Sequence, residues 1–255
     1  AGYVKRYCKD YQFKNGDRKI WNTKGASNLD ELRERTKPFV LRRLKSEILD
    51  LSEKIITPIY LELENRYYDE EMAEFIEIAK ENVGDETISV SITRLTKARQ
   101  IIATEKIPYT CELIDKYVDE GKKVIVFTNF SIVVDMLKEK YKNNSVVLDG
   151  RISSKAKRQE AVDRFQEDDK IKIFIGNMEA AGVGITLTAS EVVIMNDLCF
   201  VPALHAQAED RAYRKGQKNN VIVYYPIFVN TIEIIVNNII QKKKRNIDTV
   251  MGDDI

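Results

Sequence analysis

"KKVIVFTNF" (residues 122–130) sets a run of Val, Ile, Val and Phe between two lysines and a polar tip. β-branched and aromatic residues favour a strand. The run does not alternate with polar residues, so a strand here is buried on both faces. The surroundings repeat the theme. Upstream, "YTCELIDKYVDE" (109–120) reads as a helix that ends at Gly121. Downstream come a helix (131–141), a strand in "SVVLDG" (145–150), a helix in "KAKRQEAVDRFQ" (155–166) and a strand in "KIFIG" (172–176). A short helix or loop then leads to a strand in "EVVIMND" (191–197), a helix in "ALHAQAEDRAYR" (203–214) and a strand in "NVIVYYPIF" (220–228). Strands alternating with helices predict an α/β fold, a parallel sheet with helices on both faces. Such sheets gather ligands at the carboxyl ends of their strands. Those ends are Thr128–Asn129, Asp149–Gly150, Gly176–Asn177 and Asn196–Asp197, all polar or Gly.

The preceding segment is mainly helical in pattern. "KNGDRK" (14–19) signals a turn, and Asn28 stands as N-cap before a helix in "LDELRERT" (29–36) that Pro38 stops. "FVLRRLKSEIL" (39–49) has apolar residues at helical spacing, and "IITPIYLEL" (55–63) reads as a strand. Residues 66–82 are helical in pattern, "GDETIS" (84–89) breaks that helix, and "ITRLTKARQIIA" (92–103) is a further amphipathic one. A last helix, 231–251, is apolar first and basic later, and its "QKKKR" (241–245) reads as a solvated run.

The net charge is +1 over 255 residues, so any polyanion site must be a local patch rather than a global field. Apolar runs are strand-sized, which predicts no membrane span. Three dispersed cysteines and a single histidine predict a reducing interior and no metal site. No G-x-x-x-x-G-K-[ST] occurs, and "DEEM" (69–72) lies inside a helical pattern, where it reads as a solvated face.

Three stretches carry chemistry. In "QAEDRAYRKGQ" (207–217), a helix sets Arg211 and Arg214 three apart on one face, with Gln207 a turn before. Planar, permanently charged guanidiniums fit phosphate oxygens, and a pair can steady charge on a transferred phosphoryl group. The same pair could equally make surface salt bridges with Glu209 and Asp210. In "GNMEAAGVGITLTAS" (176–190), Gly182 and Gly184 allow close backbone approach, and Asn177, Thr186 and Thr188 offer neutral hydrogen bonds; a plain tight turn fits as well. In "LDGRISSKAKRQEAVDRF" (148–165), Arg151, Lys155, Lys157 and Arg158 cluster where a helix begins, a place that favours anions. A solvated helix face is the alternative there. Thr128 and Asn129 either meet a nucleic-acid backbone or cap the next helix. His205 is expected to cap or pack, and Trp21, Tyr224 and Tyr225 to pack.

The order of "FVLRRLK", "KVIVFTNF", "VVLDGRIS", "AAGVGITLT", "VIMNDLCFVP", "QAEDRAYRKGQ" and "TIEIIVNNIIQKKKRNIDTVM" resembles the second, C-terminal RecA-like motor lobe of a SWI/SNF-type helicase-like DNA translocase. That family is a branch of the superfamily-two helicases. "NTKGASNLDELRERT" (22–36) is similar to the annealing-helicase subgroup or a bacterial or phage relative. Two departures flank the arginines: Tyr213 replaces a usual His and Lys215 a usual Ile. A third puts "GNME" (176–179) where many relatives have "LSTK".

The resemblance implies ATP-driven translocation along duplex DNA by two lobes that close on ATP. It implies that ATP and Mg2+ are held mainly by a first lobe that is not in this chain but belongs to the same polypeptide. Carried over by residue, it makes Arg211 and Arg214 arginine fingers, with Gln207, Gly182 and Gly184 at the nucleotide cleft. It places Thr128, Asn129, Gly150, Arg151, Asn177 and Thr186 near the DNA backbone, beside the basic Lys155 and Arg158. Residues 1–66 then look like the end of the first lobe and a crossing segment, 67–108 a helical insertion, 109–236 the second lobe and 237–255 a basic C-terminal helix. The chain is expected to be an excised piece of a DNA-dependent ATPase, monomeric, acting on double-stranded or branched DNA away from membranes, in a cytoplasm or a nucleus. The competing expectations are a non-catalytic nucleic-acid-binding module with a RecA-like fold and a strand-separating helicase.

Overall fold

The computed structural model describes residues 2–8, 11–15, 18–22, 25–41, 51–80, 85–179 and 184–251, with backbone alone for 11–15, 18–22, 74–80 and 85–94. The chain divides into two compact units, Ala1–Ile48 with Ile239–Ile255, and Leu49–Asn238. In the first, α1 (Gly2–Tyr7) precedes an antiparallel pair, β1 (Tyr11–Asn15) and β2 (Arg18–Asn22), followed by α2 (Leu29–Thr36). Asn28 does not cap α2 with its side chain. It adopts a left-handed backbone, φ 50°, and its side-chain Nδ2 donates to the Arg6 carbonyl at 2.7 Å. The helix expected over 39–49 lies largely outside the described residues, as does the side chain of Trp21.

The second unit is built on one six-stranded sheet. Its strands are β3 (Lys54–Leu61), β4 (Val124–Thr128), β5 (Ser145–Leu148), β6 (Ile173–Asn177), β7 (Val192–Met195) and β8 (Val221–Phe228). The order is β3-β8-β7-β4-β6-β5 and every pairing is parallel. The edge strand β3, within the segment read as 1–66, thus belongs to the same sheet as the strands from 124 onward.

The continuous apolar runs do what two-sided burial requires. In β4, all five residues are fully buried. Ile125 and Phe127 face one core with Phe165, Phe174, Val193 and Met195, covered by α7 (Lys155–Glu167). Val124 and Val126 face the other with Ile114, Val133, Val134 and Leu137, supplied by α5 (Ile107–Asp119) and α6 (Ser131–Lys140). Each such side chain contributes about 1.5–3 kcal/mol on burial. Gly176 on β6 is required by this packing, because a Cβ there would sit 3.0 Å from ring carbons of both Phe127 and Phe174. Gly121 ends α5 with a positive φ of 80°, donating to the Val118 carbonyl at 2.9 Å.

Two long helices, α3 (Arg66–Lys80) and α4 (Asp85–Glu105), pack Tyr68, Ala98 and Ile102 against Leu63 and Phe228. The break expected across "GDETIS" does not extend to Asp85–Ser89, which lies in the first turns of α4. "DEEM" is not wholly a solvated face either. Glu71 is buried and ion-paired to Lys97. The remaining helices are α8 (Pro202–Glu209) and α9 (Ile232–Met251). No helix among the described residues is long and apolar enough to cross a membrane.

Candidate functional site

Arg211 and Arg214 meet, but not as faces of one helix. α8 stops at Glu209, and tight turns carry the chain onward. Tertiary bonds explain the early stop. The Arg211 carbonyl, which a continuing helix would offer to the amide four residues on, instead accepts from the Leu187 amide at 2.8 Å. Glu209 turns inward, accepting from Lys54 Nζ at 2.6 Å and from the Tyr225 hydroxyl at 2.7 Å. That engagement draws Glu209 to Lys54 rather than into the surface salt bridge weighed above. What joins the two arginines is one acceptor: each places Nη1 3.3 Å from the Ile185 carbonyl. Arg214 Nη1 also donates to Thr186 Oγ1 at 3.2 Å.

Burial and the like charge of Arg214 hold the Arg211 guanidinium below its ordinary pKa. An anion set against the pair relieves that repulsion. Arg214 is exposed, and Arg211 is half-buried. Gly184, beside Ile185, has a positive φ of 59°, a conformation that most side chains disfavour. Gly182 lies outside the described residues. Gln207 is exposed on α8.

A second group gathers at the carboxyl ends of β4, β6 and β7. Its centre is Asp197, a residue the sequence reading noted only as a polar strand end. Asp197 is buried and accepts from the Thr128 hydroxyl, from the Asn129 amide at 3.0 Å and from Asn129 Nδ2 at 2.5 Å. Asn177 Nδ2 donates to the Asn129 carbonyl at 3.1 Å. Thr128 is fully buried, so its side chain does not reach a ligand at the surface; it holds Asp197. The chain changes direction across the sheet here, with β6 and β7 on opposite sides of β4, which is where parallel sheets bind ligands.

The basic cluster after β5 is only partly basic in effect. Arg151 Nε donates to Asp149 Oδ2 at 2.8 Å, and its Nη atoms donate to the two oxygens of Asp135 at 3.0 and 2.7 Å. These carboxylates, Asp135 first, raise the Arg151 pKa above its ordinary value. Gly150 is exposed, with open space where a Cβ would stand. Lys155 is exposed in the first turn of α7, which Ser154 caps. Arg158 is half-buried and reaches the Ile152 carbonyl at 3.4 Å.

Residues 105–216 match the family described as helicase conserved C-terminal domain, a span that includes both arginines. Over 257 residues the chain is 33% identical to the "SWI/SNF-related matrix-associated actin-dependent regulator of chromatin subfamily A-like protein 1 homolog" of Caenorhabditis elegans, covering 93% of this chain and 35% of that protein. The chain contains a helicase C-terminal domain of the SWI/SNF type. The SWI/SNF-type domain is also 34% identical over 242 residues to an "Uncharacterized ATP-dependent helicase" of Mycoplasma pneumoniae, covering 88% of this chain and 23% of that one. Its parallel sheet is RecA-like: it superposes on the "Sulfolobus solfataricus SWI2/SNF2 ATPase core in complex with dsDNA" with a TM-score of 0.65 and 28% identity, over 89% of this chain and 53% of that one. The chain thus spans about a quarter and about a third of the length of these two curated relatives.

Two parts of the SWI/SNF-type domain escaped the sequence reading. Asp197 carried a signal, its place at a strand end, but its partners Thr128 and Asn129 are distant in the chain. Gln217 also carried one, as the last residue of the arginine stretch. Its amide donates to the Ser190 carbonyl at 2.8 Å and its oxygen accepts from the Lys218 amide at 2.9 Å. Gln217 thereby ties the end of that stretch to the segment joining β6 and β7.

Proposed function

We propose that this chain is the second ATPase lobe of an ATP-driven translocase on double-stranded DNA, inert alone and completed by a first lobe of the same polypeptide. The observation that carries the reading is the convergence of Arg211 and Arg214 on the Ile185 carbonyl at 3.3 Å each. Two guanidiniums sharing one neutral acceptor form a donor set that suits phosphate oxygens. In this reading ATP, with Mg2+, supplies the phosphoryl group and is held mainly by the first lobe. Arg211 and Arg214 donate to the transferred phosphoryl oxygens once the lobes close, with Gln207, Gly182 and Gly184 alongside. An arginine supplied across a cleft makes hydrolysis depend on closure. Duplex DNA that bridges the lobes thereby stimulates turnover.

Asn129, Gly150, Asn177, Thr186, Lys155 and Arg158 line the DNA side, and Thr128 acts on it through Asp197. Residues 67–108 serve as a helical insertion and 237–255 as a basic terminal helix. Branched DNA, a monomeric state and a cytoplasmic or nuclear setting belong to the same reading. Support comes from the SWI/SNF relatives and from the similar SWI2/SNF2 ATPase core solved in complex with double-stranded DNA.

The test is made in the full-length protein. Arg214→Ala should lower DNA-stimulated ATP turnover by about three to five orders of magnitude, and this chain alone should hydrolyse no ATP. Wild-type turnover in Arg214→Ala overturns the finger role. Displacement of a strand from a forked duplex, measured on the same protein, would replace translocation by strand separation.

A further inference from the structure

Arg151 poses a problem for any DNA-facing role. Its guanidinium lies between two carboxylates, so the three groups together carry a net charge of −1 and repel phosphate. The two carboxylates are not equivalent. Asp149 is buried, with a side chain 4% exposed, whereas the side chains of Asp135 and Arg151 are each 53% exposed. Asp149 also accepts from the Arg151 amide at 2.9 Å, fixing the turn that carries the guanidinium. Asp149 therefore orients Arg151 permanently. Asp135, on the first turns of α6, covers the outer edge with two parallel bonds, the geometry in which a guanidinium takes a phosphate. Both side chains of the pair are half exposed, so water and screening ions compete with it.

We propose that Asp135 is a removable stopper on Arg151: it occupies the guanidinium edge that a DNA phosphate takes, and duplex binding displaces it. The inference rests on the reading that this lobe carries part of a duplex track. It assigns Arg151 as a phosphate contact set by Asp149 and gated by Asp135. Asp135 could not be tied to the basic cluster from sequence, because it lies sixteen residues before Arg151, on α6.

The experiment measures binding of a fluorescent random-sequence duplex to the chain by anisotropy over a salt series. Four proteins are compared: wild type, Asp135→Asn, Arg151→Ala and Asp135→Asn with Arg151→Ala. Glu139→Gln, one turn further along α6 and 80% exposed, controls for loss of a surface charge. Asp135→Asn should bind about 2- to 5-fold tighter with an unchanged salt slope, because wild type makes the same phosphate contact once Asp135 is displaced, whereas Arg151→Ala should lower the slope by about 0.9. Glu139→Gln should change affinity less, and Arg151→Ala should abolish the gain. Equal gains in Asp135→Asn and Glu139→Gln, or a gain that survives Arg151→Ala, overturn the stopper. Binding by wild type with no gain in Asp135→Asn overturns the stopper and leaves the lobe reading standing. No binding by any of the proteins overturns the stopper together with the duplex track on this chain.

Discussion

His205 is the one histidine of the sequence and sits in a relay of hydrogen bonds. Lys54 donates to Glu209, and the Tyr225 hydroxyl donates to the same carboxylate. Tyr225 is then left to accept from His205 Nδ1 at 3.3 Å, while His205 Nε2 accepts from the Cys199 amide at 3.1 Å. With the proton on Nδ1 the Tyr225 hydroxyl gains a donor, while the Cys199 carbonyl, 3.1 Å from Nε2, gains none from the ring. Burial lowers the His205 pKa below its ordinary value. A group whose folded pKa is depressed is stabilising above its unfolded value and loses that contribution as pH falls. Thermal stability should therefore be flat above about pH 6.5 and decline below it. His205→Gln should flatten the decline, and the single imidazole resonance should titrate below the unfolded value. A decline unchanged in His205→Gln would assign it to carboxylates instead.

At the scale of elements, a buried ion pair fixes how helices meet the sheet. Lys106, just before α5, is wholly buried, donates to the Pro226 carbonyl at 2.6 Å and pairs with Glu233 in the first turn of α9. Glu233 also accepts from the Phe228 amide at 3.0 Å, at the end of β8. Burial lowers the Lys106 pKa and raises that of Glu233, each countered by the partner's charge. Removing one charge leaves the other uncompensated. Glu233→Gln should cost about 3–5 kcal/mol of unfolding free energy in urea. Replacing both partners by Met should recover part of it, since the charges then balance but the Pro226 carbonyl and the Phe228 amide lose these bonds. A double variant as unstable as the single one would show that the pair supplies more than charge balance.

At the scale of the whole molecule, the proposed finger role requires a first lobe of the same polypeptide to present phosphate to Arg211 and Arg214. Charge alone is then insufficient, because the forked geometry of guanidinium sets two donors at once. In the full-length protein, Arg211→Lys keeps the charge and loses the fork. DNA-stimulated turnover should fall about 100-fold, the scale of a misplaced contact, with overall DNA affinity little changed. A lysine that sustains turnover would reduce the contribution to simple charge.

The strand runs at 124–127 and 192–195 were legible because two-sided burial admits no polar residue, and that alone forces a covered parallel sheet. The arginine stretch was legible as a motif for the same local reason: its residue types stand next to one another. The end of α8, the Asp197 hub, the Arg151–Asp135 pair and the Lys106–Glu233 pair were not. Each depends on groups brought together from distant parts of the chain, such as Leu187 with Arg211 or Lys106 with Glu233 across 127 positions. Local sequence determines which surfaces a segment must bury. Which donor finally meets which acceptor is decided only when buried polar groups find partners in the assembled fold.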